Sequence, residues 1–377
     1  MAASNNNDLS QTLEGCARVG DLEGVIRILA LSSNLSDQAS KALSEAAENG
    51  HAECVKLLIP ASNPKDENSK ALRLAATYGH AECVKLLIPV SDPTNQNSKA
   101  LGLAATYGHA ECVKLLISAS NPKFRHSIAL HWAAENGHAE CVKLLIPASN
   151  PKADNSYALR QAAEHGHAEC VHLLIPVSEP MADNSRALIF ASCNGHAECV
   201  KLLIPVSDPK ARNSSALQWA ADNGYVECVK LLIPISDPKA SDSRALRWAA
   251  SCGHAECVKL LIPVSDPLAD KSAALYLAAR HGKVECVKLL LPVSAPLIEI
   301  EGILREVFSS GHAGMFSAML AHEPRLLDTL DLAAILDAAV AEGHVGLQAL
   351  LRSIIEQQDL DSDLSPSNAP TQKPSRL

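Results

Sequence analysis

The sequence predicts an all-α solenoid of stacked helix pairs, and three observations carry that expectation. The phrase HAECVKLLIP begins at His51 and returns, unchanged or nearly so, at His80, His109, His138, His167, His196 and His254. Altered forms begin at Tyr225 and Lys283, and every step is 29 residues. A fixed period of this size marks units that bury their apolar faces only against their neighbours. Within each unit the apolar letters recur at helical spacing in two short runs separated by a glycine. Finally, hydrophobic residues make up 47% of the chain but aromatic ones only 3%, so the core must rest on Leu, Val, Ile and Ala.

Taken in order, residues 1–12 are polar and rich in Ser and Asn. They have neither the basic stretch nor the apolar stretch of a secretory signal peptide and are expected to be a disordered leader. Residues 13–34 form a divergent capping unit with Gly20-Asp21 where later units have Gly-His. Nine regular units fill 35–296, and two degenerate ones, marked by Gly311-His312 and Gly343-His344, fill 297–355. Terminal units diverge because one side of each must face water. Residues 356–377 are polar, contain proline, lack periodicity and read as a disordered tail.

The second copy of the phrase illustrates one unit. Asn68-Ser69 offers a helix N-cap, after which Ala71, Leu72, Ala75 and Ala76 recur at helical spacing. Gly79 ends that helix, since glycine takes positive φ at little cost. The second helix starts near His80 and turns Val84, Leu87 and Ile88 inward, with Glu82 and Lys85 on the wet side. Pro89 stops it and Pro93 stiffens the following loop.

The segment ALRLAATYGHAECVKLLI resembles the helical part of an ankyrin repeat, with its run L-x-x-A-A-x-x-G-H-x-x-x-V-x-x-L-L. The resemblance spans about residues 13–355 in one register. The units are shorter than the 33 residues usual in that family, and Lys70-Ala71-Leu72-Arg73 stands where its T-P-L-H does. The connecting segment is also too short for the family's hairpin, so hairpins are expected to be truncated or absent. The resemblance implies that the repeated His braces the turn before the second helix and that the first helices line a concave groove.

Several function classes are disfavoured. A formal charge of −9, from 42 acidic and 33 basic residues, argues against nucleic acid as partner. No stretch reaches the ~20 apolar residues of a membrane span, so no membrane partner is expected. Nine of the 12 cysteines share one repeat position, Cys54 to Cys286. Stacked helices lie ~8–10 Å apart, too far for a disulfide. These cysteines read as small reduced packing residues, which suggests a cytoplasmic setting, while Cys16, Cys193 and Cys252 are expected to be the exposed thiols. His and Cys stand three apart in HAEC, but the pairs are spread along the array, so no metal site is expected. No phosphate loop, G-x-S-x-G or H-E-x-x-H occurs, and neither catalytic residues nor cofactors are assigned.

What remains is variation on a fixed scaffold. Counting back from the His position, the residues ten, six and two before it change freely and share one helical face. This face carries the candidate partner-binding residues Tyr78, Tyr107, Trp132, Tyr157, His165, Phe190, Trp219, Arg244, Trp248 and His281, to which Arg160 is added. Trp and Tyr are favoured interface anchors; the alternative is that the tryptophans fill gaps between first helices. The expectation is a non-catalytic, monomeric protein–protein interaction scaffold that binds another protein through its concave face. The near-identity of the copies and the polar leader point to a secreted bacterial effector acting in a host cytoplasm. The rival readings are an enzyme carried by the degenerate C-terminal units and a purely structural spacer.

Overall fold

The computed structural model describes residues 12–31, 35–294, 312–322, 324, 327 and 330–363. The expected leader apart from Thr12, the first part of the 297–355 segment and the last part of the tail lie outside them. The chain divides into two compact units, Met1–Ala211 and Arg212–Leu377. Each is a stack of helices, and no strand occurs among the described residues.

Among the described residues the first unit holds seven helix pairs. They are α1 (Leu13–Val19) with α2 (Leu22–Leu31), α3 (Ser36–Glu48) with α4 (Ala52–Leu58), α5 (Asp66–Thr77) with α6 (Ala81–Leu87), and α7 (Asn95–Thr106) with α8 (Ala110–Ile117). There follow α9 (Phe124–Glu135) with α10 (Ala139–Leu145), α11 (Ala153–Glu164) with α12 (Ala168–Leu174), and α13 (Ala182–Cys193) with α14 (Ala197–Leu203). The second unit continues with α15 (Ala211–Asp222), α16 (Val226–Leu232), α17 (Ala240–Cys252), α18 (Ala255–Leu261), α19 (Ala269–Arg280) and α20 (Val284–Leu290). It ends with α21 (Ala313–His322), α22 (Leu332–Ala341) and α23 (Val345–Asp363). The last helix runs beyond the expected boundary at 355, anchored by the fully buried Leu347 and Leu351.

The helices form where small and branched apolar residues alternate with the helical period. From α5, the fully buried set is Leu72, Ala75 and Ala76; from α6 it is Val84 and Leu87, with Cys83 beside them. Equivalent residues are buried in every regular pair, at roughly 1.5–3 kcal/mol for each Leu or Val removed from water. The alanine pairs let the first helices of the first unit pack closely on one another, and likewise α17 on α19 in the second. Ile88, expected inward, is only half-buried.

The connection between pairs is not a hairpin. After the second helix the chain makes a short turn, such as the 3-10 turn Ile146–Ala148. It then enters the next first helix through a left-handed turn. Glu67, Asn68 and Ser69 have φ of 44°, 60° and 56°, and Asp154–Asn155–Ser156 and Asp183–Asn184–Ser185 repeat the pattern. Left-handed backbone costs ~1–2 kcal/mol per residue, so other contacts must hold it. Ser69 is therefore not the N-cap expected from the sequence; its hydroxyl instead accepts the backbone N–H of Asp92 at 3.0 Å. The same serine staple joins Ser98 to Asn121, Ser127 to Asn150, Ser156 to Glu179 and Ser185 to Asp208. In the second unit it joins Ser214 to Asp237 and Ser243 to Asp266. Long side chains also tie down carbonyls of this turn: Arg73 donates to Glu67 at 3.0 Å, Arg160 to Asp154 at 2.8 Å and Arg247 to Ser241 at 2.9 Å.

Candidate interaction surface

The three variable columns differ in how far they reach into solvent. Two residues before the His position, every residue from Tyr78 to His281 is exposed, with Tyr78 at 51% and Tyr107 at 54%. They stand where the first helix ends and precede the glycine of positive φ, so the scaffold cannot cover them. Glu48 beside Tyr78 pushes its phenol pKa up. His165 lies in the same column, stacked on His167 with ring centroids 6.2 Å apart, and donates from Nδ1 to the Gln161 carbonyl. In the second unit His281 bonds Ser251 Oγ through Nδ1 at 2.8 Å.

The column six before the His is mixed. Trp132, Phe190 and Trp248 are half-buried and Trp219 is 39% exposed, whereas Gln161 is buried and donates to Glu164 at 2.9 Å. Trp219 and Trp248 pack on each other, 5.5 Å apart and tilted by 54°. The column ten before the His carries Tyr157, Arg186 and Arg244, all half-buried. Arg186 lies over the Phe190 ring at 4.9 Å and Arg244 over the Trp248 ring at 5.2 Å. Each such pair presents an aromatic edge with a cation held on its face.

Arg160 stands apart from the other candidates. Only 12% of its side chain is exposed. Besides its bond to the left-handed turn, it lies over the Tyr157 ring at 5.2 Å and 3.7 Å from Asp183. Its guanidinium is committed to holding the chain.

A sequence profile of the family described as ankyrin repeats, in three copies, matches residues 13–100, 90–157, 159–242 and 217–300. The chain belongs to the ankyrin-repeat family. No curated protein matches it. Ankyrin repeats generally mediate protein–protein interaction, and in this ankyrin-repeat chain the repeated histidine is a structural link. His80, His109, His138, His167 and His196 each donate from Nε2 to the carbonyl of the residue 32 before them, at 2.9–3.0 Å.

The cysteines of the ankyrin ladder are sealed. Cys83 is buried and its thiol is pushed up to about 11; Cys170 reaches about 12, in both cases chiefly through burial. Cys252 is exposed and Cys193 half-exposed, but Cys16, expected outside, is fully buried where α1 and α2 close on it. Among the described residues no group of three or more His, Cys, Asp or Glu could hold a metal ion. No described helix is long and apolar enough to cross a membrane.

Proposed function

We propose that this ankyrin-repeat chain is a non-catalytic scaffold that engages a partner protein through the variable face of its first helices. One observation carries the reading: scaffold residues such as Leu72, Ala75 and Val84 are fully buried, while Tyr78, Tyr107 and their successors in the same column are all exposed. Packing has no use for two tyrosines that each leave half their surface in water, whereas interfaces favour them. In the first unit the contact set is Tyr78, Tyr107, Trp132, Tyr157, His165 and Phe190. In the second it is Trp219, Arg244, Trp248 and His281.

The proposed setting is the cytoplasm, with the protein acting as a secreted effector in a host cell and working as a monomer. The run of buried cysteines, none in a disulfide among the described residues, suits a reducing compartment. The near-identical copies support the effector role. Neither nucleic acid nor membrane is the proposed partner, in line with the formal charge of −9.

The test is affinity capture from host lysate with the native chain, the Y78A/Y107A pair and the W132A/W219A/W248A triple variant. The expected result is loss of one captured protein from both variants, with folding of the tyrosine pair unchanged within about 0.5 kcal/mol because both side chains are exposed. Undiminished capture by both variants sinks the proposal.

A further inference from the structure

We infer that the junction between α7 and α9 is a binding pocket for an acidic peptide segment of the partner, anchored by one apolar side chain. The site is a cavity of about 270 Å³ whose lining includes Lys99, Phe124, Arg125, Ile128 and Trp132. Its Trp132 wall sits where one repeat departs from its neighbours. Where Arg73 and Arg160 fill the equivalent places on α5 and α11, α7 has Gly102. A Cβ there would lie 2.5 Å from Cζ3 of Trp132, so the indole leans into the space the missing side chain leaves.

Charge reverses at the same place. The first residue of the left-handed turn is Glu67, Asp154 or Asp183 in neighbouring repeats, but Gln96 and Arg125 here. Those acids neutralise the cations beside them: Glu67 pairs with Lys70 at 2.9 Å and Asp183 with Arg186 at 2.7 Å. The first turns of α7 and α9 hold no acid. Lys99 and Arg125, both exposed, are in no ion pair among the described residues, and Arg125 lies 5.8 Å over the Phe124 ring. The result is an aromatic and aliphatic floor under two free cations, in a chain that is otherwise acidic.

Size and charge select the occupant. The cavity falls below the ~300–1,000 Å³ usual for small-molecule sites, which suits a side chain rather than a whole cofactor. Two cations do not form the extended track that a phosphate backbone needs, but they complement one or two carboxylates flanking a leucine or phenylalanine. Ile128 and Trp132 belong to the variable columns, so the pocket deepens the scaffold reading and rests on it.

The experiment is fluorescence anisotropy with the full chain and three labelled probes. These are a short peptide with two leucines set among glutamates, the same peptide with lysines for glutamates, and an oligothymidylate. Saturable binding of the acidic peptide, weakened about tenfold in K99E/R125E, is the expected result. K85E/K114E makes the same charge change on the exposed side of α6 and α8 and is expected to leave affinity within about twofold. The lysine peptide should bind K99E/R125E better than it binds the native chain. Equal weakening by both double variants, tighter binding of the oligothymidylate, or no peptide binding overturns the inference. The two proposals fail separately. Absent peptide binding with capture still lost in the aromatic variants removes the pocket and leaves the scaffold, while peptide binding with capture intact does the reverse.

Discussion

His167 donates from Nε2 to the carbonyl oxygen of Glu135, 2.9 Å away, while its Nδ1 lies 2.5 Å from where a Cβ on Gly137 would stand. One imidazole thus satisfies the end of the preceding first helix and occupies the space beside its glycine. Gly137 is itself left-handed, with φ of 76°.

Gly137→Ala therefore meets both backbone strain and a collision, and is expected to cost about 2 kcal/mol. His167→Ala, which leaves the carbonyl unpaired, should cost a further ~1–2 kcal/mol on its own. The double variant should cost less than the sum, because removing the ring removes the collision. Urea midpoints at constant slope measure all three.

Burial lowers the pKa of His167 from its ordinary 6.5. The folded protein therefore takes up that proton less readily than the unfolded chain. The stabilisation is complete above about pH 6.5 and is lost as pH falls through that value toward the lowered one. Thermal midpoints between about pH 7.5 and about pH 5 should drop in the native chain, and part of that drop should vanish in His167→Gln. An identical slope in both proteins refutes the assignment.

Ser156 holds the joint between two repeats by accepting the backbone N–H of Glu179 at 2.8 Å, with 1% of the residue exposed. Ser156→Ala is expected to destabilise by about 1–2 kcal/mol, and Ser156→Thr by no less, since the added methyl has no room. Alanine at the half-buried Ser215 should change stability by under ~0.5 kcal/mol apart from its local bond to Arg212.

Thiol labelling separates the cysteines. At neutral pH, maleimide should modify Cys252 first, because it is exposed, even though desolvation and Asp222 push its pKa up. Cys170, at about 12, leaves roughly one thiolate in 10⁵ and is buried besides. It should react only when the chain is unfolded, as peptide mapping with and without urea would reveal.

The stack itself was legible in the sequence because its determinants are local and repeated. Leu72, Ala75, Val84 and Leu87 lie at helical spacing in every copy, and a one-dimensional pattern needs no long-range information. The serine staple was visible only as a constant letter. A cap for its own helix and an acceptor for the next loop use the same residue, and only the left-handed φ of Ser69 tells them apart. Arg160 carried a surface residue's charge but spends it on the left-handed turn. The pocket was hidden for a different reason: its Trp132 wall leans over Gly102 of the repeat before, a pairing that no single column reveals.

The 29-residue joint has a consequence for the chain's history. Within Met1–Ala211 the links between neighbours, histidine to carbonyl and serine to amide, use the same atoms from step to step. Excising one copy in frame would rejoin ends that already fit. Within Met1–Ala211, length can therefore change by whole modules while each survivor keeps its own exposed letters, so new recognition surfaces can be composed by shuffling rather than by redesign.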